Sequence, residues 1–219
     1  TGAERRMSDQ AKGMLIVISG PNGVGKSTLC ARLAERLGAM LSVSATTRPK
    51  GRNEVDGTHY HFVSREEFAR RLEAGEFLEH AEYLGNLYGT PAEPVRRALE
   101  RGQDVLLEIE VQGGVQVARR FPDAVMIYIL PADPQVLVDR IQGRGRDKQE
   151  IIARRLANAD GEIAFARESG VYRHVVVNDL LDETVEEILA IIRDERKRTP
   201  VSGGGPAASG IKREVCSEQ

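Results

Sequence analysis

The chain has 219 residues and a mass of 24.1 kDa, with 31 Lys+Arg against 33 Asp+Glu, a formal net charge of −2 and a pI near 6.1. A globule of this mass hides roughly 70% of its unfolded surface, so its core needs neither disulfides nor a structural metal. Hydrophobic content of 41% with 29% charged residues excludes the disordered and fibrous classes, the balanced charge speaks against a dedicated nucleic-acid binder, and no apolar run approaches the ~20 residues of a membrane-spanning helix.

Residues 1–13 are polar, lack the apolar centre of a signal peptide and read as a flexible extension, with Thr1–Arg6 upstream of Met7. Leu15–Ser19 reads as a buried strand running into Gly20-Pro21-Asn22-Gly23-Val24-Gly25-Lys26-Ser27-Thr28. A helical stripe of Leu29, Leu33 and Leu37 follows. Strand, G-x-x-x-x-G-K-S loop and helix in this order constitute a phosphate-binding loop. Its glycines let successive backbone N–H groups turn inward, where a Cβ would block a phosphate oxygen. The helix N-terminus adds about half a positive charge at the same point. Lys26 is placed to reach the β- and γ-phosphates and the Ser27 hydroxyl to meet Mg²⁺, so the chain is expected to hold a nucleoside triphosphate. Transporter-type ATPases share such a loop, but their Leu-Ser-Gly-Gly-Gln signature and Asp-Glu strand end are absent here.

Four more buried runs, Leu41–Ser44, Val105–Glu110, Val125–Leu130 and His174–Asn178, complete a set of five strands. Continuous apolar runs mark strands covered on both faces, hence a parallel sheet in a three-layer, doubly wound α/β architecture. Between residues 45 and 91 the rhythm changes to an alternating strand His59–Val63, a capping box Ser64-x-x-Glu67, and strands around Phe77–Tyr83 and Asn86–Thr90. That stretch reads as an inserted α+β subdomain. Asp133-Pro134 opens a helix, and an Arg-rich helical insertion covers 140–156. Helical stripes such as Val185, Ile188, Leu189 and Ile192 close the fold, and 199–219 is a low-complexity, disordered tail. Cys30 and Cys216 offer no disulfide framework or metal spacing, which fits a cytoplasmic protein.

Glu108 and Glu110 lie two apart at the carboxyl end of a core strand, so strand periodicity puts both on one face, at the sheet edge where ligands bind in open α/β folds. Either is a candidate for Mg²⁺ or for a base.

The segments Ser42-Val43-Ser44-Ala45-Thr46-Thr47-Arg48, Glu54-Val55-Asp56-Gly57-Thr58-His59-Tyr60-His61-Phe62-Val63-Ser64 and Gly85-Asn86-Leu87-Tyr88-Gly89-Thr90, ordered behind the phosphate loop, make the chain resemble guanylate kinase from roughly Met14 to Arg198. The resemblance implies a P-loop kinase fold in three parts: a core (14–44, 92–139 and 157–198), a GMP-binding subdomain (45–91) and a lid (140–156). It implies that Ser44, Arg48, Tyr60 and Tyr88 hold the phosphate and base of GMP. Where the family carries a second arginine this chain has Gly51, and Arg52, one position late, is expected to swing into that role. Guanine reading falls to Glu79 and Thr90, with Ser44 and Glu110. An ionised carboxylate accepts from both guanine N1–H and N2–H₂, whereas adenine turns an unprotonated N1 to it and leaves it unpaired.

Arg140, Arg144 and Arg155 match the lid arginines of the family, and Asn178 the residue at the adenine of ATP. The activity implied is Mg²⁺-dependent transfer of the ATP γ-phosphoryl group to GMP and dGMP, yielding ADP and GDP. Its partners would be those nucleotides, with no nucleic acid and no membrane, in a monomer or homodimer. Such transfer needs positioned cations and no general base.

Overall fold

The computed structural model describes residues 12–143 and 149–198, and the side chains within that range except those of 139–143 and 149–157. In chain order the elements are β1 (Leu15–Ser19), α1 (Lys26–Leu37), β2 (Met40–Leu41), β3 (Ala45–Thr46), β4 (His61–Phe62), α2 (Arg65–Glu73), β5 (Phe77–Tyr83), β6 (Asn86–Pro91), α3 (Ala92–Glu100), β7 (Val105–Glu108), α4 (Val111–Arg120), β8 (Val125–Pro131), α5 (Pro134–Gly143), α6 (Gln149–Ser169), β9 (His174–Asn178) and α7 (Leu181–Arg198).

Five parallel strands make the main sheet, in the order β2-β7-β1-β8-β9. Central β1 is buried throughout, with Ile16 in register with both Leu106 and Val125. Its two faces feed different cores. Ile16 and Ile18 pack with Leu29 and Leu33 of α1 and Ile188 and Ile192 of α7, whereas Leu15 and Val17 pack with Val95 of α3 and Val117 of α4. Layers on both sides explain why the strand shows no polar alternation.

The sheet strands at the cleft are shorter than the sequence suggests. β2 ends at Leu41, and one further bond, from Ser42 N–H to the Leu106 carbonyl at 3.0 Å, precedes departure of the chain to the second sheet. β7 ends at Glu108 in place of Glu110, because Glu110, in an extended conformation, is already the N-cap of α4. Both carboxylates nonetheless face one cleft.

The second sheet has the order β4-β3-β6-β5 and mixes parallel and antiparallel pairs. Ser64 caps α2 as its spacing predicts, its Oγ accepting from Glu67 N–H at 3.1 Å. Fully buried Phe68 of α2 stacks on Phe77 of β5 with ring centroids 4.5 Å apart, which ties helix to sheet. β3, two residues long, carries too little periodicity to be legible in advance. Among the described residues, no helix is long and apolar enough to cross a membrane.

Candidate active site

β1 delivers the chain to Gly20, where a Cβ would stand 2.5 Å from the Ile129 carbonyl oxygen, so only glycine lets the loop leave between β1 and β8. The loop closes at Gly25, whose φ of 102° caps α1 without any side-chain hydrogen bond. The first-turn N–H groups of α1 are therefore left to the loop, the arrangement that binds phosphate. Lys26 Nζ donates to the Gly20 and Pro21 carbonyls at 2.5 and 3.3 Å. Ser27 Oγ donates to Glu108 Oε1 at 2.7 Å, which joins the loop to the end of β7. Thr28 is exposed.

Asn178, expected at the adenine of ATP, closes β9 beside the phosphate loop. Its side chain is buried and donates from Nδ2 to the Val24 carbonyl at 2.7 Å, so the amide braces the loop. Glu162, on α6, was not singled out from the sequence. It is buried, with Oε2 unpartnered among the described residues, and its carboxyl is pushed up to about 7 by burial and by Glu110, against the pull of Lys26 and the Asn22 N–H. A single carboxylate on an amphipathic helix carries no sequence signal that distinguishes it from a solvated one.

Across the cleft, antiparallel β5 and β6 set Glu79 opposite Thr90, with a register shift between Phe77 and Glu79 that re-aims the side chain. Glu79 Oε1 accepts from Thr90 N–H at 3.0 Å and Thr90 Oγ1 at 2.6 Å, and the Ser44 hydroxyl lies 3.4 Å from that of Thr90. The Glu79 carboxyl is 3% exposed, and burial pushes it up to about 7 despite the two Thr90 donors. Glu79, Ser44, Tyr60, Tyr88, Glu108, Glu110 and Lys26 line the same cleft.

Arg48, Tyr60 and Tyr88 form one cluster. The Arg48 guanidinium lies 5.4 Å from the Tyr60 ring centroid, and the two tyrosine rings meet edge-on at 5.9 Å. Burial, then the charge of Glu108, raises the Tyr60 phenol, which keeps it protonated as a donor. Arg48 also forks onto Glu54, at 2.7 Å to Oε1 and 3.0 Å to Oε2, while Gly51 N–H donates to the same carboxylate at 2.6 Å. Glu54 thus receives the set of donors an oxyanion would receive, and the pairing holds its carboxyl below the usual range. Its position in the Glu54-Val55-Asp56-Gly57 segment was visible, but its partner was not, because a turn brings position 54 back to position 48.

Arg52 is exposed, lies outside the cleft lining and makes no ion pair or hydrogen bond among the described residues. Of the lid arginines, Arg140 lies on α5 and Arg155 on α6, with side chains outside the described residues, and Arg144 lies outside them altogether.

The cleft therefore runs between two groups of donors, a loop of backbone amides with Lys26 and a cluster of Arg48 with two phenols. Carboxylates stand between them and on the far wall. The family model for guanylate kinase matches residues 12–195. The guanylate kinase of Symbiobacterium thermophilum is 48% identical over 198 residues, covering 90% of this chain and 92% of its own. A guanylate kinase of Thermus thermophilus is 49% identical over 188 residues, covering 86% of this chain and 84% of its own. The crystal structure of guanylate kinase from Anaplasma phagocytophilum superposes with a TM-score of 0.68 at 33% identity, covering 84% of this chain and 87% of that one. With the phosphate loop, both sheets and the cleft between them all lying inside that matched length, the chain belongs to the guanylate kinase family, whose reaction is phosphoryl transfer from ATP to GMP.

Proposed function

We propose that the cleft holds ATP at the Gly20–Thr28 loop and GMP between the two sheets, with Glu79 reading guanine. The observation that carries this reading is the Glu79 carboxylate, pinned by Thr90 on the wall of the same cleft as Lys26 and Glu108. With Oε1 held by Thr90, Oε2 is the oxygen left for guanine donors, and Ser44 adds a hydroxyl beside it. Arg48, Tyr60 and Tyr88 would take the GMP phosphate, Arg48 exchanging the Glu54 carboxylate for the phosphate through the same fork. Arg52 would join from its exposed position.

ATP and GMP bring about six negative charges to one site, and transfer spreads charge over the equatorial oxygens of the moving group. Lys26, the loop amides and the lid arginines Arg140, Arg144 and Arg155 would carry that charge in a water-poor site. Ser27 and Glu108 suit Mg²⁺, because a hydroxyl and a carboxylate oxygen at 2.7 Å form the hard oxygen pair that the ion takes alongside nucleotide phosphates and water. Bound there, it would neutralise charge on the bridging phosphates. Among the described residues no cluster of three or more His, Cys, Asp or Glu suits a metal. The proposed setting is the cytoplasm.

ADP release measured with GMP, dGMP, AMP, CMP and UMP tests the reading. Turnover confined to GMP and dGMP is expected, and equal turnover of AMP would sink the role given to Glu79. The pH profile supplies a second check. Guanine needs the ionised carboxylate, and burial raises the Glu79 carboxyl to about 7, so kcat/KM for GMP should climb as pH rises through about 7 and level off above it. The rise should vanish in Glu79→Gln. Arg52→Ala is expected to raise KM for GMP about tenfold at unchanged KM for ATP, the worth of one charge-assisted contact. An unchanged KM for GMP would leave the acceptor phosphate to Arg48 and the tyrosines.

A further inference from the structure

β5, which carries Glu79, is the last strand of the second sheet, so one of its backbone edges has no neighbouring strand among the described residues. Helix α4, which starts directly behind Glu108 and Glu110, occupies that edge with side chains. Gln116 Nε2 donates to the His80 carbonyl at 2.6 Å, while Gln116 Oε1 accepts from His80 N–H at 3.3 Å. The amide thereby reproduces the pair of bonds a neighbouring strand would make. Arg120 donates to the carbonyls of Phe77, at 3.2 Å, and Leu78, the stretch in which the β5 register shifts. One turn before Gln116, a Cβ on Gly113 would stand 2.1 Å from Glu79 Oε2 and 2.9 Å from its Cδ. Positions 113, 116 and 120 share one helix face. Each of them meets a residue of the four-residue stretch Phe77–His80.

From this seam we infer that Gly113, Gln116 and Arg120 are specificity-positioning residues, which register Glu79 against Glu108 and Glu110 and so set the discrimination between guanine and adenine. The inference rests on the reading of Glu79 as the residue facing the base. Thr90 holds only Oε1, so the location of Oε2 is decided by the floor beneath it, and at Gly113 that floor is bare backbone. Glu108 and Glu110 belong to the main sheet and its loop, whereas Glu79 belongs to the second sheet. Through α4 the two sheets share one rigid element. A displacement of about 1 Å in such a site costs on the order of 10²-fold in rate. These three residues act through Glu79 and are not assigned a contact with substrate.

Steady-state kinetics on the full chain, with GMP and AMP as acceptors and with ATP varied separately, test the seam in Gln116→Ala, Gly113→Ala and Glu79→Gln, alongside thermal melts. Gln116→Ala is expected to raise KM for GMP and narrow the GMP/AMP preference by about tenfold each, and Gly113→Ala by about 10²-fold, with KM for ATP within about twofold of wild type in both. A merely structural seam would lower the melting temperature and depress both substrates together. If Glu79→Gln loses the preference while Gln116→Ala and Gly113→Ala keep it, the seam is overturned and the reading of Glu79 survives. If Glu79→Gln itself keeps the preference, the reading falls and takes the seam with it. Should Gly113→Ala fail to fold, Gln116→Ala decides alone, since its half-buried side chain leaves no cavity in the core.

Discussion

Glu79→Gln is expected to lower kcat/KM for GMP by about 10²–10⁴-fold, to narrow or invert the preference over AMP, and to leave KM for ATP near the wild-type value. The size follows from losing two charge-assisted bonds, each about 1.5–3 kcal/mol, from a buried carboxylate to guanine N1–H and N2–H₂. The direction for AMP follows from Thr90. Its N–H and hydroxyl both sit on Glu79 Oε1, at 3.0 and 2.6 Å. A backbone N–H cannot accept a hydrogen bond, so a glutamine at this position must keep its carbonyl oxygen toward Thr90 and turn its NH₂ into the cleft. Donor then meets donor at guanine, whereas the adenine N1 offers an acceptor. Because glutamine is isosteric and neutral, the buried site loses a desolvated charge and the fold should not weaken. Initial rates over both acceptors, with a melt of each protein, check the whole pattern. A variant that keeps wild-type selectivity would show that Glu79 packs the subdomain and reads nothing.

Lys26→Ala is expected to reduce kcat by about 10²–10³-fold, the loss typical of removing one preorganised charged donor from a transition state. The melting temperature should stay within a few degrees of wild type. Both parts rest on the same geometry: among the described residues Nζ donates hydrogen bonds only to the Gly20 and Pro21 carbonyls within its own loop, so its removal breaks no hydrogen bond between elements there. The loop conformation depends on glycine backbone at positions 20 and 25, which the substitution does not touch. Single-turnover rates at saturating ATP, compared with circular dichroism melts, separate loss of chemistry from loss of structure. A large drop in melting temperature would reassign Lys26 to holding the loop together.

The features legible in advance share one property, that their physics is local. The phosphate loop is a run of consecutive residues whose backbone geometry needs glycine at fixed offsets. The Ser64–Glu67 cap closes over three residues, and Gln135 N–H bonds to Asp133 Oδ1 at 2.8 Å two residues away, as the helix start at Pro134 predicts. The central strands β1, β7 and β8 were visible because burial on two faces demands unbroken apolar runs, although β7 stops short where Glu110 turns out to be a helix cap; the edge strand β9 keeps an apolar run with Val175 and Val177 exposed, and β2 shares only Leu41 with the run expected there.

Long-range pairing was not visible in the same way. No periodicity tells that Glu54 forks with Arg48, that Asn178 reaches the Val24 carbonyl across 154 positions, or that Gln116 completes the edge of a strand 36 residues earlier. The chain alone marked out a phosphate-loop motif, a parallel α/β core and, through its resemblance, the residues expected around an acceptor. Folding decided which of those side chains are free to meet a ligand and which are spent on one another. A hydrogen bond between distant elements depends on where two backbones come to rest, and that is settled by packing across the whole molecule, not by the residues beside either partner.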